Sequence, residues 1–311
     1  MRGRLSPGSF RSLSFGALGA CVMLFGGCAS GRQDTFATPE DAAQSLIASA
    51  RDGNVSQLER ILGPDSRSVI VSGDTVQDRN QREVFVVAAD EQWRLEDMGD
   101  DQKELVIGYE DWPFPIPIVR EDGAWRFDTA AGIDEVIARR IGRNELTAIG
   151  LCETYVSAQR EYAATGHDGN PAGVYAQRFA STPGMHDGLH WKSTSADDQS
   201  PLGALAAVAA DEGYTRAHTD RPNPFHGYLF RILTSQTGAA PDGARDYVVD
   251  GRMNGGFAMV AFPASYGNTG IMTFIVNQDG VVLQSDLGEN AEAIASAMTA
   301  FDPTDQWKIV E

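Results

Sequence analysis

Apolar positions recur at three- and four-residue spacing through the first third of the chain and give way to short alternating runs in the last third. Between these patterns lies Gly142 to Phe179, which reads as an amphipathic helix, a Gly-rich turn and a short second helix. Asn144 suits an N-cap and Glu145 puts negative charge in the first turn. Ile149, Cys152, Val156, Gln159 and Ala163 fall on one stripe. Such a stripe needs a sheet beneath it, and alternating strands from about Tyr228 to Gln284 supply one.

Upstream, Thr38-Pro39-Glu40-Asp41 combines an N-cap, a proline at the first helical position and first-turn acids. Ala43, Leu46, Ile47 and Ala50 form the face of that helix, and Gly53 ends it. Asn54 caps a second helix carrying Leu58, Ile61 and Leu62, which Gly63-Pro64 stops. A third helix is expected over Gln77 to Asp90, then strands over Glu104 to Tyr109, Ile116 to Arg120 and Ala124 to Asp128, the last two joined by Glu121-Asp122-Gly123. Pro115 is expected to mark entry to the middle strand and Pro117 an edge or bulge position within it.

Ile133, Val136, Ile137 and Ile141 make a helical face leading through Gly142 into the central helix, so the two halves are joined by helix and their mutual motion is limited. Beyond it, a loop carries His186, His190 and Trp191, and Ser200-Pro201 opens a helix with Leu202, Leu205 and Val208. Strands are expected over His226 to Leu233, Asp246 to Val249, Phe257 to Phe262, Ile271 to Val276 and Val281 to Gln284, with a last helix over Asn290 to Ala300. The fold class is therefore α+β, in two domains at residues 38–142 and 143–311 behind a tether at 28–37.

The first 27 residues read as a targeting signal. Arg2, Arg4 and Arg11 form a basic region, Leu13 to Phe25 an apolar one, and Gly26-Gly27 a small-residue cleavage site before Cys28. This resembles a bacterial lipoprotein signal, in which Cys28 is lipidated and becomes the mature N-terminus; an ordinary signal peptide cut nearby uses the same physics. Cutting at the other candidate, Leu18-Gly19-Ala20-Cys21, would leave Val22 to Phe25 exposed, so Cys28 is favoured. Ala29-Ser30 lacks the aspartate that retains such proteins at the inner membrane, so the expected location is the periplasmic side of the outer membrane. Losing residues 1–27 removes three arginines and no acid, moving the net charge from −18 to −21. So acidic a chain is repelled by phosphate backbones, which argues against nucleic acid as a partner. The membrane, through an N-terminal lipid, and another envelope protein are the partners expected.

Candidate chemistry is sparse. After processing, Cys152 is the one cysteine left beside Cys28, and it reads as a small buried hydrophobe on the stripe. Trp112 and Phe114 form either an exposed recognition ridge or an aromatic cover over the mouth of the first domain. His186 and His190, four apart, could be drawn into a zinc site with His218, His226 and Asp187, but Pro183, Gly184 and Gly188 argue for a loop that would not align the rings. Asp168-x-Asn170 and Asn277-x-Asp279-Gly280 are fragments of calcium loops without the remaining ligands. No catalytic residue, metal site, cofactor or small-molecule ligand is assigned by motif.

Helices followed by a curved antiparallel sheet ending in Gly123-x-Trp125-x-Phe127-Asp128 resemble the cone-shaped nuclear transport factor 2-like domains, which implies a pocket rather than a reaction. Ala158 to Tyr162, Asp168-Gly169-Asn170, Tyr175-Ala176-Gln177, Gly227 to Phe230, Ala261-Phe262-Pro263 and Tyr266-Gly267 resemble the C-terminal domain of type IV pilins and pseudopilins. The acidic and basic residues of the central helix exclude a filament core. With Trp112 to Pro115, Arg139 to Glu145, Ser181 to Gly184, Asp187-Gly188-Leu189 and Asn254 to Phe257, the mature chain resembles the bacterial domain-of-unknown-function family 2950. The function expected is a lipid-anchored, non-catalytic binding or assembly module of the cell envelope. Its rival is an envelope hydrolase using His186, His190 or His226 with Asp187.

Overall fold

The computed structural model describes residues 33–195, 197–214 and 223–310; the expected signal peptide, Cys28 and His218 lie outside them. Helix α1 (Pro39–Arg51) and helix α2 (Val55–Leu62) pack as a hairpin, followed by the short α3 (Arg67–Ile70) and by α4 (Thr75–Glu91). Thr38, Asn54 and Asp74 cap three of these, accepting from the backbone N–H of Asp41, Gln57 and Gln77 at 3.1, 3.1 and 3.0 Å. The sheet beneath contains β1 (Trp93–Gly99), β2 (Gln102–Ile107), β3 (Trp112–Pro113), β4 (Ile118–Glu121) and β5 (Ala124–Phe127), in the antiparallel order β1-β2-β4-β5 with β3 on β2. Leu46, Ile47, Leu58 and Ile61 from the helices bury against Leu105, Ile107, Ile118 and Phe127 from the sheet. Asp122 and Gly123, with φ of 52° and 83°, make the two-residue turn between β4 and β5 whose left-handed backbone matches strand twist.

Two expectations change here. β1 was not foreseen, because its outer residues are largely exposed and only Trp93 and Leu95 face the core side, which leaves little alternation to read. The strand expected from Ile116 begins at Ile118, which keeps Pro115 and Pro117 out of the ladder they cannot join.

Helix α5 (Thr129–Ala164) runs unbroken for 36 residues, about 54 Å at 1.5 Å per residue. Asn144 is therefore not a cap; it is fully buried in mid-helix, and the helix continues straight through Gly142. An interior glycine costs only about 1 kcal/mol against alanine, and packing on both ends of α5 outweighs that. At its start Gly132 lies so close to the backbone of Pro115 and Ile116 that a Cβ would sit 2.3 Å from the Pro115 carbonyl oxygen. At its other end Cys152, Val156 and Gln159 are buried, with Ile149 partly so, along the stripe expected.

The remaining elements are α6 (Gly203–Asp211), β6 (Tyr228–Leu233), β7 (Ser235–Gln236), β8 (Arg245–Asp246), β9 (Val248–Val249), β10 (Arg252–Met253), β11 (Ala258–Pro263), β12 (Met272–Asn277), β13 (Leu283–Asp286), α7 (Ala291–Ala297), β14 (Ala300–Phe301) and β15 (Lys308–Ile309). Under α5 lies an antiparallel sheet in the order β15-β13-β12-β11-β6, whose inner strand β11 is buried along its whole length. A small mixed sheet β14-β7-β8 and the ribbon β9-β10 complete it. The short second helix expected before Phe179 is absent: Tyr175 bridges to Met253, and the buried Gln159 amide both donates to the Ala176 carbonyl at 2.8 Å and accepts from its N–H at 2.9 Å. Backbone groups held this way cannot turn into a helix. The fold is α+β, and the described residues form one compact unit.

Candidate functional site: an arginine-rimmed cavity

Between α1, α2, α3 and α4 on one side and the start of α5 on the other lies a cavity of about 180 Å³. Its inner wall is apolar, built from Leu46, Leu58, Leu62, Ile70, Phe85 and Val136. Phe114 closes one side, its ring 5.6 Å from Phe85 and 6.2 Å from Phe127, and Trp112, 40% exposed, stands beside it at 6.2 Å. Four arginines line the same space: Arg82 from α4, and Arg139, Arg140 and Arg143 from α5. One acid, Asp78, accompanies them.

These five charges are not equivalent. Arg140 is 8% exposed and donates to the carbonyls of Ser68 (2.7 Å) and Val69 and to the Asn268 side chain, so it ties α3 and the C-terminal sheet loops to α5. Burial pulls its guanidinium below the usual range, against the opposing pull of Asp78. Asp78 spends both oxygens on the Ser72 N–H at 3.1 and 3.0 Å, and burial raises its carboxyl above the ordinary value. Arg139 pairs with Glu135 at 2.6 Å one turn away and stacks over Trp112 at 5.4 Å. Arg82 and Arg143 have no hydrogen bond or ion pair from their guanidinium groups among the described residues. Burial, and then the like charge of Arg139, push Arg143 below its usual range.

Beside the cavity runs a polar seam that fixes α5 against both halves of the chain. The Gln77 amide donates to Asn144 Oδ1 at 2.6 Å, and Asn144 Nδ2 donates to the Thr269 carbonyl at 2.9 Å. Asp74 accepts from Tyr214 Oη at 2.8 Å and from the Gly227 N–H at 3.0 Å. Gly227, φ 77°, is required there: a Cβ would lie 2.4 Å from Asn144 Nδ2. Glu145, expected as a first-turn charge, instead accepts from the N–H groups of Ile271 and Met272, each at 2.9 Å. This network was invisible in the sequence, since its partners lie up to 153 residues apart.

The histidine candidates sit elsewhere and apart. His186 Nε2 lies 3.2 Å from Asp198 Oδ1, with its ring 4.4 Å from that of Trp191. Trp191 donates to the same Asp198 oxygen at 2.9 Å, and the Thr194 N–H and hydroxyl, with Trp191 and His186, hold that carboxyl below its usual range. His190 Nδ1 is 3.1 Å from Ser200 Oγ, and His226 Nε2 is 3.0 Å from Glu212. Asp187, the acid of the rival hydrolase reading, accepts from the Thr182 N–H and hydroxyl at 2.7 and 2.8 Å, so it folds its own loop rather than orienting a histidine. Among the described residues no three His, Cys, Asp or Glu side chains gather as a metal site. Asp168 and Asn277 with Asp279 likewise serve turns, Asp168 accepting from the His186 N–H at 2.6 Å. The Cys152 thiol, fully buried, is pushed up to about 12 by burial, which leaves it protonated and unreactive at neutral pH.

A family model for "Protein of unknown function (DUF2950)" matches residues 33–310. The chain belongs to that family. The match embraces the cavity, the seam and the histidine loops alike, so members of the DUF2950 family are expected to share this architecture from α1 to β15. No curated protein and no solved structure matches the chain. The likenesses to nuclear transport factor 2-like domains and to pilins accordingly gain no support from either comparison. Among the described residues no helix is long and apolar enough to cross a membrane.

Proposed function

We propose that this protein is a non-catalytic binding module of the cell envelope, exported and held on the periplasmic side of the outer membrane by a lipid on Cys28. The observation that carries the binding role is the cavity itself: an apolar chamber lined by two aromatic side chains and a small number of charged and polar groups is the form small-molecule sites take. Against a hydrolytic role stands the engagement of the four described histidines in the fold, one by one; the hydroxyl beside His190, that of Ser200, is buried and donates to the Trp191 carbonyl at 3.3 Å. The anchoring part rests on the basic, apolar and small-residue order that precedes Cys28.

Two measurements test these parts separately. Purified from its own membranes, the chain should show in native mass spectrometry a non-covalent adduct that Val69→Trp, which fills the cavity from the partly buried α3 position, removes without loss of fold. An unliganded native mass, or an adduct that survives Val69→Trp, contradicts the binding reading. Cys28→Ser should shift the protein from the membrane to the soluble fraction; unchanged fractionation contradicts the anchor.

A further inference from the structure

Resting on the binding-module reading, we propose that the cavity takes an amphipathic anion, a single apolar chain bearing a carboxylate or phosphate head, with the chain against Leu46, Leu58, Leu62, Ile70 and Phe85 and the head between Arg82 and Arg143. The argument begins from charge. In a chain of net −18, the residues lining this one cavity carry four positive charges and one negative. Such a reversal of sign concentrates anions locally while the rest of the surface repels them.

The individual partners then narrow the role. Asp78 is spent on Ser72, Arg140 on two backbone carbonyls and Asn268, and Arg139 on Glu135 and the face of Trp112. The guanidinium groups of Arg82 and Arg143 remain without an anion among the described residues. Of the other arginines, Arg51 pairs with Asp90, Arg67 with Glu59, Arg94 with Glu96 and Asp111, and Arg126 with Glu121, while Arg120, Arg231 and Arg252 pair with no acid among the described residues. What sets Arg82 and Arg143 apart is that both line one apolar chamber whose single carboxylate, Asp78, is already spent on Ser72. Loss of water, and then the like charge of Arg139, hold Arg143 below its usual range, and an anion placed beside the guanidinium offsets both by favouring its charged form. Guanidinium groups present paired N–H donors that match carboxylate and phosphate oxygens bidentately.

The apolar wall excludes small inorganic anions as the natural occupant. Leu46, Ala50, Leu58, Leu62 and Ile70 expose hydrocarbon to a site that a phosphate ion alone would leave wet. A ligand with an apolar chain removes that surface from water at about 25 cal/mol per Å². Both ends of the ligand thus find a matching surface, and the aromatic pair Trp112 and Phe114 lies where the chain would pass.

The test uses the full-length Cys28→Ser chain in aqueous buffer and isothermal titration with dodecanoate below its micelle threshold. Saturable one-to-one binding is expected, at least about tenfold tighter than dodecan-1-ol, with acetate showing none. Arg82→Gln/Arg143→Gln should lose at least about tenfold in dodecanoate affinity while binding dodecan-1-ol as the parent does, and Arg82→Lys/Arg143→Lys should recover part of the loss. Dodecyl phosphate in parallel identifies the source: tighter binding than dodecanoate assigns the head to phospholipid-derived ligands, weaker binding to free fatty acids, and either supports the anion. If dodecan-1-ol matches dodecanoate, or the Gln variant binds dodecanoate unchanged, the anion assignment is overturned while the binding module stands. If no amphiphile titrates into a chain whose native mass still shows a Val69-dependent adduct, this ligand class is wrong and the module again survives.

Discussion

The cavity and the histidine loop at 181–200 hold the most chemically suggestive side chains in the molecule, and they treat them in opposite ways. In the loop the candidate groups are consumed: Asp198 serves Trp191, Thr194 and His186, Asp187 serves Thr182, and Ser200 faces His190. In the cavity, two cations, Arg82 and Arg143, stand beside an apolar wall with no ion pair among the described residues. Engagement in the loop marks structure, whereas the half-buried Arg82 and the exposed Arg143 keep their donors unspent among the described residues.

The contrast is sharpest where structure alone is at stake. Val156→Asp places a carboxylate beneath the buried face of α5 and should cost about 3 to 5 kcal/mol, whereas Glu153→Ala, one turn back and exposed, should change the melting temperature little. Equal shifts would remove the assigned face and with it the rigid platform for the cavity. Next comes the seam. Asn144→Ala leaves the Thr269 carbonyl and the Gln77 amide without their partner and should cost about 1 to 3 kcal/mol in denaturant unfolding. A silent substitution would mean that α5 is not locked to both halves there.

A smaller effect tests continuity of the long helix. Nothing lies within 4 Å of a Cβ added at Gly142, so Gly142→Ala should stabilise the protein by roughly 0.5 to 1 kcal/mol. A destabilised variant would show that the chain hinges at this point.

How much of this was legible in the sequence depended on the range of the signal. Local rules located α1, α2 and α4, their caps Thr38 and Asn54, the Asp122-Gly123 turn and the Ile149-Cys152-Val156 stripe, since each is decided within a few residues. Asn144 was misread because an Asn beside Glu after Gly has the local form of a helix start, while its actual partners, Gln77 and Thr269, are 67 and 125 residues away. Tyr175 to Phe179 read as helical for a similar reason, with no local trace of the Gln159 amide that captures Ala176. Of the site, Trp112 and Phe114 were singled out as aromatics, but the arginines were not. Arg82 and Arg143 look like ordinary surface cations until the fold brings them to one chamber.

The account's central claim is that charge left unengaged at the cavity serves binding, while charge engaged at the loops serves the fold. Melting the ligand-stripped Arg82→Gln/Arg143→Gln chain beside a His186→Ala/His190→Ala/His226→Ala chain tests it most directly. The arginine pair should melt at or above the parent, since removing two like charges there breaks no hydrogen bond or ion pair among the described residues, and the histidine triple should melt lower because it strips partners from Asp198, Ser200 and Glu212. A destabilised arginine variant beside an unaffected histidine triple would contradict the claim.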